Sequence, residues 1–486
     1  MNEWVTDAPT FAVVGKINMG KSSVLSTLLE IDDDKLIRVS STPGETTHCQ
    51  VLPVTFDGRE MIRFVDTPGF SRALEAMRAI QDLHGEGTPN LATVREFVAQ
   101  QLESREFEDE ARLLEPIVQG AGVLYVIDPS KPLRDAFVAE MEIIRWTGCP
   151  RMALLNEKVS EKAENAERIA EWRSRLGSYF NLVRTFNAHQ ARFGERKRLL
   201  KSLLEIDESN RSRIEDTIRL IDQEWDQRRE ESAEIILEFL AKALRHRESE
   251  RIDEKEEELE HRKERRKQEL QRKYYASIAK FEQETYEKLL KLYRHRLLKA
   301  EVGGDVFQGV DLSSEETWQK WGLSRSQLAI AGGLAGGAAG VTIDIGSGGL
   351  THGLGTLFGA LTGAGGAFFK GDSLPELKID ARGVSFDGQS RKALIMGPPE
   401  SENFAWVLLD RVLHHYREIV SRSHGRRDEG VIEGESKGWV RDFSRERRVK
   451  FHRWILAQLK GGERSFDSGV FGELVATLTD VGDDQA

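Results

Sequence analysis

The residues best equipped for chemistry lie near the start of the chain, in Gly15-Lys16-Ile17-Asn18-Met19-Gly20-Lys21-Ser22. Their spacing is G-x-x-x-x-G-K-S. It sits between a short apolar run, Phe11 to Val14, and Ser23 to Leu29, which has helical periodicity. Strand, glycine loop and helix N-terminus are the context in which backbone N–H groups curl around phosphate oxygens and the helix dipole adds to the attraction. The spacing assigns phosphate contact to Gly15, Asn18, Met19, Gly20, Lys21, Ser22 and Ser23. Lys21 would reach the β- and γ-phosphates, and the Ser22 hydroxyl would ligate Mg²⁺. A second polar cluster ends another apolar run: Met61 to Val65 leads into Asp66-Thr67-Pro68-Gly69. An aspartate at a strand tip can hold Mg²⁺ through water, and Gly69 can offer its N–H to a γ-phosphate. Between the two lies a polar loop, Ser40 to His48, that carries Thr46 and Thr47.

With these three pieces in this order the sequence resembles the Era-like GTPases, the bacterial translation-factor-class G proteins. The resemblance implies GTP and GDP as ligands and Mg²⁺ as cofactor, with hydrolysis of GTP to GDP and phosphate acting as a conformational switch. By the same resemblance the loop after the first helix is switch I, Thr47, with Thr46 as the alternative, is its Mg²⁺-ligating threonine, and Gly69 begins switch II. The catalytic set is then Lys21, Thr47 and Gly69, and the Mg²⁺ set is Ser22, Thr47 and Asp66. Phe70 stands where Ras-type enzymes carry a glutamine that orients water. A phenyl ring cannot do this by hydrogen bonding. In potassium-activated relatives an asparagine at the position of Asn18 helps bind K⁺ against the phosphates, which supplies the missing positive charge. Such relatives often dimerise through their G domains, so a homodimer is an open expectation.

Base recognition is less complete. Asn156-Glu157-Lys158-Val159 follows an apolar strand where N-K-x-D belongs, so the aspartate that accepts from guanine is a valine. Either Glu157 stands in as acceptor or specificity is relaxed. Asn187-Ala188-His189 partly matches the loop that contacts guanine O6.

These residues need elements to hold them. The reading is an α/β protein, a P-loop GTPase domain with a mostly parallel sheet flanked by helices over 1–205. Val51 to Phe56 and Met61 to Val65 form a hairpin, and Gly122 to Asp128 and Met152 to Asn156 form central strands. Residues 71–118 form a charged helical insert tethered to switch II, which either responds to nucleotide or is a static packed insert.

The chain is 486 residues long with a net charge of −11, and this acidity weighs against a general nucleic-acid binder and sequence-specific DNA binding. Its two cysteines, Cys49 and Cys149, are far apart and suit a reducing compartment without disulfides or structural zinc. The N-terminus lacks the pattern of a signal peptide, so the expected location is cytoplasmic.

From Lys201 to Ala300 there is no glycine or proline, which predicts long charged helices, two of them antiparallel, as an arm over 206–303. Residues 304–372 are glycine-rich, with Gly332, Gly336 and Gly340 and then Gly355, Gly359 and Gly363 on helical faces. Three readings of this hairpin stay open: a packed soluble hairpin, one that associates with the inner face of a membrane, and a linker. Residues 373–486 read as a small α/β region. Strands are expected at Leu377 to Asp380, Gly383 to Phe386 and Ala393 to Met396, helices up to Ser423 and over Val449 to Lys460, and a frayed tail from Asp480. The layout resembles an uncharacterised bacterial GTPase family with a glycine-rich C-terminal domain. Two other functions remain open: an RNA- or ribosome-associated assembly GTPase, and a nucleotide-binding interaction protein with weak hydrolysis.

Overall fold

The computed structural model describes residues 7–32, 49–157, 165–251, 256–298, 377–386, 389–398, 403–426, 438–461 and 467–483. The glycine-rich hairpin expected over 304–372 lies outside them. The chain divides into two compact units. The first comprises Met1–Asp226 with Arg294–Leu297 and Val420–Glu429, and the second comprises the rest.

The first unit is built on a six-stranded sheet in the order β2-β3-β1-β4-β5-β6. Its strands are β1 (Thr10–Val14), β2 (Gln50–Phe56), β3 (Arg59–Asp66), β4 (Gly122–Ile127), β5 (Arg151–Asn156) and β6 (Leu182–Phe186). Only β2 is antiparallel, joined to β3 by a turn at Asp57-Gly58; β3, β1, β4, β5 and β6 run parallel. The unbroken apolar runs of β1 and β4 follow from this. Strands covered by helices on both faces have no side facing water, and every residue of β4 is buried.

Helices α1 (Lys21–Leu29), α5 (Asp135–Trp146), α6 (Asn165–Gly177) and α7 (Phe193–Ile206) alternate with the strands. Between β3 and β4 the predicted insert is three helices: α2 (Ala73–His84), α3 (Leu91–Ser104) and α4 (Glu108–Val118). Asn90 starts α3 by accepting the N–H groups of Ala92 and Thr93 on its Oδ1. Val94, Phe97, Leu113, Leu114 and Ile117 of the insert belong to the same core as Phe11, Val24 and Leu124. The order of the sheet reverses at β1, and in open α/β sheets such a point is where the strand ends open a crevice for ligands.

In the second unit the glycine-free stretch forms α8 (Arg211–Arg245), which begins in the first unit, and α9 (Glu256–Leu292). The pairs Lys242–Glu284 and Lys288–Glu238, at 3.1 and 3.2 Å, run in opposite sequence sense, as two antiparallel helices require. A short strand, β7 (Glu248–Arg251), joins a small antiparallel sheet in the order β7-β9-β8. Its charged residues carry no strand pattern, and the sequence reading missed it. β8 (Leu377–Phe386) is one strand with a register shift between Asp380 and Val384, where two strands were expected. β9 (Gln389–Met396), α10 (Asn403–Ser421) and α11 (Arg445–Leu459) follow. The expected frayed tail is corrected in part. α12 (Ser468–Asp483) carries Asp480 to Asp483 as helix, because Val470, Leu474, Leu478 and Val481 bury one stripe.

A buried ion pair fixes this unit. Glu282 on α9 is fully buried and receives Arg411 of α10 through two bonds, Nε to Oε1 at 2.9 Å and Nη2 to Oε2 at 3.0 Å. Tyr286 also donates its hydroxyl to Glu282, and His415 stacks on the Tyr286 ring at 3.8 Å. Removing one partner of such a pair leaves a charge stranded in a low dielectric. Arg411→Ala is expected to destabilise the protein by about 3–5 kcal/mol, read as a lowered urea midpoint.

Candidate functional site

The loop between β1 and α1 takes the shape the glycine spacing implies. Gly20 caps α1 with φ at 93° and packs against Asn156, where a β-carbon would lie 2.1 Å from Nδ2. No residue with a side chain fits there. Asn18 also takes a left-handed conformation, with φ at 65° and its side chain exposed at the loop rim. Gly15 and Met19 are buried, and Lys21, Ser22 and Ser23 open α1 half-buried. Met19 accepts the N–H of Asp128 on its sulfur at 3.3 Å.

Lys21 donates to the Gly15 carbonyl at 2.9 Å. Burial lowers its ammonium below the ordinary value, while Asp66 and Glu140 pull the other way. Asp66 ends β3, and burial pushes its carboxyl up to about 6 against the pull of Lys21. Its Oδ1 is buried with no hydrogen-bond partner. A buried carboxylate oxygen with nothing to bind, beside a half-buried lysine and a serine at a helix start, fits a divalent cation. Thr67 ties its hydroxyl to the Val13 carbonyl at 2.9 Å, and Gly69 lies against the backbone of Gly15 and Lys16. These contacts bring the two clusters into one site. Thr47, Lys158 and Val159 lie outside the described residues.

At the end of β5, Asn156 has no exposed surface. Its Nδ2 donates to the Met19 carbonyl at 3.3 Å and its Oδ1 accepts the Ala188 N–H at 3.1 Å. Glu157 is half-buried and gives its backbone N–H to Phe186. Asn187 turns its side chain onto its own loop, accepting from His189 N–H and donating to Gln190.

Three features escaped the sequence reading. Glu140, on α5, is fully buried, accepts the Tyr125 hydroxyl at 2.6 Å and pairs with Lys16 at 3.4 Å. Burial pushes its carboxyl up to about 7, with Tyr125 and Lys16 opposing. The available signal was its place among Phe137, Met141 and Ile144 on the inward stripe of a helix. Glu110 is the second. Buried in α4, it accepts both the Ser71 and Arg72 N–H groups on Oε1, at 2.9 and 2.5 Å. The third is the set of contacts around it: Ser71 donates to Asp109 at 2.7 Å, and Arg72 bonds the Glu106 carbonyl and lies over the Phe107 ring. The segment after Gly69-Phe70 is thus held by one turn of the insert, and Phe70 itself is buried in the core. Among the described residues no group of three or more His, Cys, Asp or Glu is placed to hold a metal, and no helix is long and apolar enough to cross a membrane.

Comparison with known proteins agrees with this geometry. Residues 173–467 match the family described as "Domain of unknown function (DUF3482)". The chain belongs to this family. In this DUF3482 protein, residues 10–157 also match the family "50S ribosome-binding GTPase", so a P-loop GTPase domain precedes the DUF3482 region. Curated relatives include "Probable GTP-binding protein EngB" of Bacillus cytotoxicus, 39% identical over 67 residues, or 14% of this chain and 31% of that protein. The same-named protein of Bacillus mycoides is 38% identical over 68 residues, again 14% and 31%. The chain therefore spans about a third of the length of these relatives. Among solved structures, a bacterial selenocysteine-specific elongation factor EF-Sec is 16% identical with a TM-score of 0.26, covering 42% of this chain and 29% of that one. Methanosarcina barkeri Roco2 RocCORdC bound to GDP is 13% identical with a TM-score of 0.22, covering 42% and 50%.

Glu140 makes a pH prediction. Its folded value, about 7, lies above the ordinary 4.5, so the folded state binds the extra proton between these values. Stability from this group is therefore present at low pH and falls as pH rises through that window. The loss is about 3 kcal/mol at most. Urea unfolding at about pH 5 and about pH 8 measures it, and Glu140→Gln is expected to flatten the difference while keeping the Tyr125 bond.

Proposed function

We propose that the first unit binds GTP with Mg²⁺ and hydrolyses it to GDP and phosphate as a conformational switch. The observation that carries this reading is the pair at the mouth of the glycine loop: a half-buried Lys21 beside a buried Asp66 whose Oδ1 has no partner. The match of residues 10–157 to a GTPase family supports the choice of nucleotide. Ser22, Asp66 and Thr47 would hold Mg²⁺. When bound, the ion neutralises charge between the β- and γ-phosphates. Lys21 would leave the Gly15 carbonyl for the phosphate oxygens, and the loop N–H groups would cradle them. Gly69 would offer its N–H to the γ-phosphate. Phe70 cannot orient the attacking water, so Asn18 is assigned the binding of K⁺ at the loop rim. Asn187, Ala188 and Glu157 are assigned to the base. The catalytic unit is residues 1–205, followed by the arm to 303, the glycine-rich hairpin and the α/β region from 373.

A second reading places the protein at the ribosome as an assembly GTPase. The description of the matched family, "50S ribosome-binding GTPase", favours it. A homodimer through the GTPase domain and contact with the inner membrane face remain proposals for the same chain.

Release of phosphate from GTP by the full chain tests the leading reading. Turnover is expected to be faster in K⁺ than in Na⁺, and Lys21→Ala should lower it by about 100-fold or more. Equal rates in both salts would remove the assignment of Asn18. Equal inhibition by unlabelled ATP and GTP would remove the guanine preference.

A further inference from the structure

Two segments distant in sequence complete the nucleotide-binding unit. Residues 294–297 meet the end of α1. Asp32 accepts the backbone N–H groups of Arg296 at 2.7 Å and Leu297 at 3.1 Å on Oδ2, and His295 Nδ1 lies 3.8 Å from the same oxygen. Burial alone would raise the Asp32 carboxyl, but His295 and the two amides outweigh it and hold it below its ordinary value. Glu30 is buried and paired with Arg196 at 2.6 Å, with Arg294 behind it at 3.8 Å. His295 stacks on His424 at 4.1 Å, which joins this segment to the second.

The second segment reaches the base-side loop. Ser423 is buried and donates its hydroxyl to the Ala188 carbonyl at 2.5 Å. Thr27 of α1 lies beside it, its Oγ1 3.1 Å from the same carbonyl and 2.9 Å from that of Ser23. Gly425 donates its N–H to the Ser423 oxygen at 3.1 Å. A β-carbon on Gly425 would lie 2.4 Å from the Ala188 oxygen, 2.8 Å from Thr27 Oγ1 and 2.9 Å from the Ser23 oxygen. Glycine is the only residue that allows this approach.

Ala188 is therefore gripped from both sides, its N–H by Asn156 and its carbonyl by Ser423 and Thr27. With valine at 159, the side chain that would fix a guanine is missing, and the placement of the 187–189 backbone carries more of the recognition. We propose that Ser423, seated by Gly425, is a positioning residue for purine nucleotide recognition, supplied to the site by the DUF3482 region. This rests on the GTP-binding reading above.

The test uses the full chain and compares displacement of fluorescent GDP by GDP and by pyrophosphate, which has the phosphates without the base. Ser423→Ala removes one oxygen and little volume, and Gly425→Val forces the loop away. Both are expected to weaken GDP by about 5- to 10-fold and leave pyrophosphate unchanged. Unchanged GDP affinity in both variants would overturn the positioning role. Parallel weakening of GDP and pyrophosphate would overturn it too, because that marks a general loosening. A wild-type protein that binds no fluorescent GDP would overturn the nucleotide reading itself along with it.

Discussion

The carboxamide of Asn156 reaches in two directions at once, donating to the Met19 carbonyl of the glycine loop and accepting the Ala188 N–H of the base-side loop. It sits at the end of β5 with no exposed surface, pressed against Gly20. A buried carboxamide left without partners costs far more than the bonds return in water, so the three backbone segments are obliged to stay in register. The curl of the phosphate loop, the left-handed Gly20 that caps α1 and the position of Ala188 all depend on this joint. Ser423 and Thr27 then continue it outward from the carbonyl side of Ala188.

Charge is the second constraint. The floor of the site holds Lys21, Asp66 and Glu140 in surroundings that strip them of water. Burial moves Lys21 down and Asp66 and Glu140 up, so each is destabilised as an ion until something of opposite sign arrives. On the proposed reading, a triphosphate with a divalent cation would bring both signs to this place. The same low dielectric that penalises the empty arrangement strengthens every contact made on binding. At the edge of the site, Glu110 lays a carboxylate on the N–H groups of Ser71 and Arg72, at the start of α2. Among the described residues Glu110 is the side chain that takes those two N–H groups, which ties the segment after Gly69 to α4.

Local pattern made the phosphate side legible. A glycine loop between a strand and a helix, and an aspartate at the tip of β3, follow from short spacings, and both appear in the fold as read. The helical character of the insert over 71–118 was visible as periodicity, and its division into three helices was not. What stayed hidden depends on contacts far apart in the chain. Glu140 and Tyr125 belong to different elements, and only the sheet brings them together. Ser423 lies 235 positions from Ala188, and nothing in Ser-His-Gly announces a partner. β7 was missed because Glu248 to Arg251 is almost wholly charged, and its strand character comes from pairing with β9. Asn156 was legible as part of a base-recognition motif, but its hydrogen bonds to the backbone of two distant loops were not.

Titration calorimetry of GDP with Mg²⁺ into the full chain, wild type against Asn156→Ala, tests this account most directly. The account predicts one GDP per wild-type chain and an affinity lower by about tenfold or more in the variant. Equal affinities would contradict it, because the two loops would then hold their places without the joint that is claimed to bind them.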